Sequence, residues 1–104
     1  MANQFGEKIR KLRESNRLLQ REIACQLEID TPMLSKIERG ERKAKKRQVL
    51  SFAKLFNVSK NELITLWLAD RVVEVLQDED LALEAMQVAE EEVKIINKTN
   101  KNKQ

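Results

Sequence analysis

The sequence contains no histidine, no tyrosine and a single cysteine, Cys25. Without histidine the chain cannot form a Ser–His–Asp triad, a Cys–His pair or a zinc site that uses imidazole ligands. One cysteine provides neither an intramolecular disulfide nor a CxxC pair, which favours a reducing compartment and a packing role for Cys25. We therefore expect a protein that is not an enzyme and that uses no metal and no cofactor.

Turn-forming residues and long apolar runs are also scarce. Two glycines and one proline in 104 residues disfavour a many-stranded β protein, whereas abundant Leu, Ala, Glu, Lys, Arg and Gln favour helices. No apolar run reaches the length of about 18 residues that a membrane span needs, and residues 1–15 lack the apolar core of a signal peptide. The sequence thus predicts an all-α, cytoplasmic protein that does not interact with membranes.

Charge is unevenly distributed along the chain. Residues 1–64 contain 15 Lys and Arg against 8 Asp and Glu, whereas residues 65–104 contain 5 against 9. The densest basic stretch runs from Arg39 to Arg47 and is interrupted by one acidic residue, Glu41. This asymmetry indicates that the first part meets a polyanion and that the second part has another role.

Apolar spacing and capping signals predict six helices, over about residues 4–15, 20–27, 31–39, 45–56, 60–76 and 80–97. Asp30 is a suitable N-cap for the third helix, and Gly40 a suitable stop. The fourth helix is expected to direct Val49, Leu50, Ala53 and Phe56 inward. The polar residues 98–104 are expected to be disordered.

Residues 20–39 have the pattern of a helix-turn-helix unit. Ala24 supplies the small side chain that is needed where the two helices cross. Ile29, Leu34 and Ile37 supply the apolar side chains that fill the elbow between them.

The wider segment from Phe5 to Ile64 resembles the lambda-repressor-like (Cro/Xre) helix-turn-helix family. Three blocks in the right order carry the resemblance: Leu18-x-Gln20-x-x-Ile23-Ala24, Leu34–Gly40 and Ala53–Ser59. The resemblance implies a five-helix DNA-binding domain over residues 4–64, followed by a helical extension over 65–97, as in small phage-type or restriction–modification controller regulators. Two residues depart from the family pattern: Glu28 stands where glycine is common, and Leu19 where serine or threonine is common.

The resemblance and helix geometry together assign roles on double-stranded DNA. The N-terminal part of the third helix would enter the major groove. Base contacts are expected from Thr31, Pro32, Ser35 and Lys36. Phosphate contacts are expected from Gln20, Met33, Arg39, Arg42 and Lys43. Arg13 and Glu38 occupy positions that form a structural ion pair in related domains.

The C-terminal half carries apolar residues at helical spacing and is expected to hold a homodimer together. The residues expected in the dimer interface are Trp67, Val72, Leu76, Met86, Ala89 and Val93. In the alternative arrangement, the sixth helix folds back over the five-helix core.

Three functions fit these features. The first is a sequence-specific transcriptional regulator that binds a palindromic operator as a homodimer. The second is an antitoxin-type protein whose C-terminal helices bind a partner protein while the helix-turn-helix autoregulates. The third is a helical scaffold whose DNA-binding surface has lost its function. This function would leave the basic residues on one side unexplained.

Overall fold

The computed structural model describes residues 3–102, which form six helices and no strand. The helices are α1 (Gln4–Ser15), α2 (Gln20–Leu27), α3 (Thr31–Arg39), α4 (Lys46–Phe56), α5 (Lys60–Leu76) and α6 (Ala82–Asn102). The all-α prediction is confirmed. The chain divides into two compact units, one ending at Glu74 and one beginning at Val75.

The core of the first unit lies between α1–α4 and the first half of α5. α3 packs against α1 and α2, and α4 packs against the same two helices. The largest fully buried side chains are Ile9, Ile23, Leu34, Ile37, Val49, Phe52 and Leu63. Ala24, at the point where α2 and α3 cross, is also buried. The helix-turn-helix unit is therefore packed on the apolar core.

One inward-facing residue of α4 differs from the expectation. Leu50 remains 41% exposed, whereas Phe52 is fully buried and packs edge-on against Phe5, with ring centroids 5.8 Å apart. Val49, Phe52 and Ala53 are buried together and follow the i, i+3, i+4 spacing of one helix face. Phe52 therefore takes the place that was expected for Leu50, while Val49, Ala53 and Phe56 keep theirs.

α5 belongs to the first unit as far as Glu74. Both carboxylate oxygens of Asp70 accept backbone N–H groups at the start of α1, from Gln4 at 2.8 Å and Phe5 at 3.0 Å. Asn3, the residue before α1, makes no side-chain cap bond of its own. Asp70 therefore caps α1 from a distant helix and satisfies N–H groups that have no partner within α1.

Trp67 lies in the same core. Its side chain is 8% exposed, and its indole N–H donates to the carbonyl of Ala44 at 2.8 Å. This placement corrects the expected role of Trp67 in a dimer interface, because the protomer itself buries the ring. It also extends the first unit from the expected end at residue 64 to Glu74.

Gly6 marks a close approach between α1 and α3. A Cβ atom at this position would overlap the side-chain oxygen of Asn3 and the carbonyl oxygen of Ile37, and would lie 2.8 Å from the carbonyl oxygen of Glu38. Two of these three atoms belong to the backbone of α3. The contact therefore requires a residue without a side chain.

The turn of the helix-turn-helix contains Glu28, at the position where glycine is common in the family. Glu28 adopts a left-handed conformation with φ 58° and ψ 39°, which is unfavourable for a residue with a Cβ. The predicted cap of α3 forms, because Asp30 accepts the backbone N–H of Met33 at 2.7 Å. Leu19 offers no side-chain acceptor to α2, and Glu22 instead accepts the backbone N–H of Leu19 at 3.0 Å.

The second unit contains α6, a helix of 21 residues whose positions 83–101 are all exposed. Residues 98–102 continue this helix, which corrects the expected disorder for that part of the tail; residues 103–104 lie outside the described residues. The segment contains no proline or glycine, so nothing in it interrupts the backbone hydrogen bonds of α6. Within residues 3–102, none of the helices combines the length and apolar character needed to cross a bilayer.

Candidate nucleic-acid interface

A buried carboxylate joins the first three helices. Glu38, 4% exposed near the end of α3, accepts a hydrogen bond from Arg13 Nε at 2.7 Å and a second from Arg13 Nη2 at 3.1 Å. Gln20 Nε2, at the start of α2, donates to Glu38 Oε1 at 3.0 Å. Arg13 also donates to the carbonyl of Leu18 at 3.1 Å. The expected ion pair thus has a third partner, Gln20, whose side chain it orients.

The hydrogen bond to Glu38 raises the pKa of Arg13 above its ordinary value; burial acts in the opposite direction, and the charges of Glu38 and Glu14 add to the increase. A raised pKa means that the stabilising charge is lost only above the ordinary arginine range. The guanidinium therefore stays ionised under all conditions in which the protein is expected to fold.

Breaking the ion pair on one side is expected to destabilise the fold strongly. Glu38→Leu should lower the free energy of unfolding by about 3–5 kcal/mol, because it leaves Arg13 charged and mostly buried without its carboxylate. The double variant Arg13→Met with Glu38→Leu should lose at least about 0.5 kcal/mol less than the sum of the two single variants. Urea unfolding of the three variants measures the coupling, and strict additivity would contradict a specific pair.

The exposed surface of α3 contains most of the residues expected to contact bases. Thr31 and Pro32 are exposed at its N-terminus, and Lys36 is exposed in its last turn. Ser35 is half-buried, and its hydroxyl accepts a hydrogen bond from Arg39 Nη1 at 2.6 Å. Met33, which was expected to contact phosphate, is also half-buried and packs against the core.

The residues expected to contact phosphate divide into two groups. Arg42 is exposed. Arg39 and Lys43 already have acidic partners, because Arg39 Nη2 lies 2.6 Å from Glu41 Oε2 and Lys43 forms an ion pair with Glu74. All of these side chains are at least one third exposed, so the pairs are weak and exchangeable.

The start of α4 adds basic residues to which the sequence assigned no contact. Lys45, Lys46 and Arg47 surround its N-terminus, and its first turn contains no acidic residue. Positive charge at this end of a helix is unfavourable, whereas an anion is stabilised there. Lys45 and Arg47 line a surface groove of about 300 Å³ together with Arg42, Met33 and Asp30. The signal was present in the sequence as the dense basic stretch after Gly40.

The remaining residues expected in a dimer interface lie at the end of α5 and along α6. Val72 is 47% exposed, Met86 40% and Val93 53%, and Ala89 is exposed as well. Leu76 is half-buried. Unlike Trp67, these five side chains leave apolar surface that the protomer does not bury.

Comparison with protein families gives one result. A family model described as a helix-turn-helix domain matches residues 4–66, which is more than half of the chain. The match indicates DNA binding and transcription regulation, and it agrees with the Cro/Xre-like resemblance of the same segment. No curated protein and no solved structure matches significantly.

Proposed function

Because the chain belongs to the helix-turn-helix domain family, we propose that it is a sequence-specific transcriptional regulator that binds double-stranded DNA as a homodimer. The observation that carries the proposal is the exposed surface of α3, next to which lie two regions able to bind phosphate. One region is the start of α2 at Gln20, and the other is the basic groove that contains Arg42 and Lys45. We propose that the protein acts in the cytoplasm.

The proposed division of roles follows from this arrangement. With α3 in the major groove, Lys36 donates to guanine O6 and N7, while Thr31 and Pro32 pack on thymine methyl groups. Gln20 and the N–H groups at the start of α2 bind a phosphate. Arg42, Lys43 and Arg39 bind the backbone beyond the end of α3 and fix its depth in the groove.

Selection of bound sequences from a random DNA pool tests this division. Lys36→Ala should change the preferred base at one position of each half-site, because a lost base contact costs about 1–3 kcal/mol of discrimination. Arg42→Ala, the matched control, should weaken binding to all sequences alike and return the same half-site. An unchanged half-site with Lys36→Ala would make Lys36 a phosphate-binding residue.

We assign dimerisation to the C-terminal extension. Met86, Val93 and Ile96 are large apolar side chains more than one third exposed, and with Ala82 and Ala89 they form the stripe of α6. An apolar stripe repeating every three to four residues is buried when two helices pair. A two-fold dimer presents its two copies of α3 to the DNA about 34 Å apart, or a multiple of that distance. This spacing matches a palindromic site.

Sedimentation of the full chain, a truncated chain and two variants tests the dimer. The full chain should be a dimer at tens of micromolar, and a chain that ends at Glu74 should be a folded monomer. This end is chosen because a cut near Leu66 would remove Trp67 and Asp70 from the first unit. Val93→Glu should weaken the dimer at least about tenfold by placing a charge in the stripe, whereas Gln87→Glu on the opposite face should change it little.

Two results would contradict the dimer. A monomeric full chain would favour the antitoxin-type alternative, in which the same helix binds a different protein. A dimeric chain ending at Glu74 would move the interface into the first unit.

A further inference from the structure

The charges of the second unit are completely separated along the chain. Residues 75–92 contain seven acidic and no basic residues, whereas residues 93–104 contain four lysines and no acidic residue. The sign of the charge changes at Val93, within α6. An exposed helix stabilised only by its own charges would carry both signs along its whole length.

Pairing within α6 neutralises little of this charge. Lys94 Nζ lies 3.2 Å from Glu90 Oε1 and 3.7 Å from Glu91 Oε1, so the lysine nearest the change point has carboxylate partners. Lys98 has no acidic residue within five positions on either side. Glu84 likewise has no basic residue within five positions. The two ends of the helix therefore keep opposite net charge.

From this separation we infer that two copies of α6 pair in antiparallel orientation, with the acidic half of each helix beside the basic half of the other. The inference rests on the proposed dimer and adds its geometry. A parallel pair would place the four acidic residues of one α6 beside the four of the other and lysines beside lysines, which costs free energy at both ends. The antiparallel pair brings opposite charges together at both ends and also aligns the helix dipoles favourably.

The apolar stripe is compatible with this orientation. Val93, at the point where the charge changes sign, is 53% exposed, and Ile96 on the same stripe is equally exposed. Antiparallel helices centred near Val93 overlap over most of α6. The stripe supplies the buried surface, and the charges select which way the second helix runs.

Distances between spin labels test the orientation in the full-length protein. Cys25 is the single cysteine, so Cys25→Ser provides a background for labels at Glu84→Cys or Lys98→Cys, both outside the stripe. In an antiparallel pair centred near Val93, two labels at position 84 are separated along the helix axis by about 27 Å, and labels at 84 and 98 by about 6 Å. A mixture of the two labelled chains should thus give a shorter distance than either chain alone.

Each other outcome has a definite meaning. A short distance between two labels at position 84, with a longer distance in the mixture, would establish a parallel pair and overturn the inference while leaving the dimer intact. A dimer by sedimentation with no close approach of labels would place the interface outside α6 and overturn it as well. A monomer by sedimentation would reject the proposed homodimer itself.

Discussion

Raising the salt concentration from 50 to 200 mM is expected to weaken DNA binding by about 10³–10⁵-fold. Two copies of the basic groove and its neighbours would neutralise roughly 6–10 phosphates, and the slope of log affinity against log salt is about −0.9 for each phosphate neutralised. We therefore expect a slope of about −5 to −9 for the dimer, measured by fluorescence anisotropy on a selected operator.

Single substitutions should distinguish basic residues that contact phosphate from those that do not. Arg42→Ala should flatten the slope by about one unit or less in each half-site. Lys54→Ala is the matched control, because Lys54 is an exposed basic residue near the other end of α4 and should leave the slope unchanged. Affinity that is indifferent to salt would contradict recognition through the phosphate backbone.

The second large effect is expected from the addition of one methyl group. Gly6→Ala should lower the free energy of unfolding by about 3 kcal/mol or more, because the new Cβ overlaps backbone carbonyl groups of α3 that cannot move without displacing the helix. For a small domain such a loss is a large part of the total stability. Thermal unfolding should show a markedly lower midpoint and a reduced folded fraction.

Lys11→Ala serves as the comparison for Gly6→Ala. It places the same residue on the exposed side of α1 and should change stability by no more than about 0.5 kcal/mol. If the two variants were equally stable, the close approach of α1 and α3 would not be a requirement of the fold. DNA binding by Gly6→Ala should fall in parallel with its folded fraction, since Gly6 itself is buried.

The helices could be predicted from the sequence because their signals are local. The bounds of α1, α2 and α3 follow from apolar spacing, from the cap at Asp30 and from the stop at Gly40. The signal for α4 was present as well, since Val49, Phe52, Ala53 and Phe56 share one face, but Leu50 fits an overlapping stripe. A residue pattern alone does not decide between two overlapping faces.

What the sequence did not predict depends on contacts between distant residues. The hydrogen bond from the backbone N–H of Phe5 to Asp70 joins positions 65 residues apart, and no local sequence pattern indicates it. Trp67 fits both a core and an interface by its chemistry, and its bond to Ala44 decides between them. The partners of Gln20 and Lys43 became apparent only when the helices were packed together.

The pairs of Arg39 with Glu41 and Lys43 with Glu74 mean that the protein carries some of its own counterions. When DNA binds, a phosphate must replace the carboxylate that is paired with Arg39 or Lys43. The anion displaced from these side chains is then a group of the protein and not a dissolved ion. The number of ions released is then smaller than the number of basic side chains that contact the backbone. Removing the carboxylate of Glu41 or Glu74 would strengthen DNA binding most at low salt. Under that condition dissolved anions compete least with phosphate for the side chain of Arg39 or Lys43.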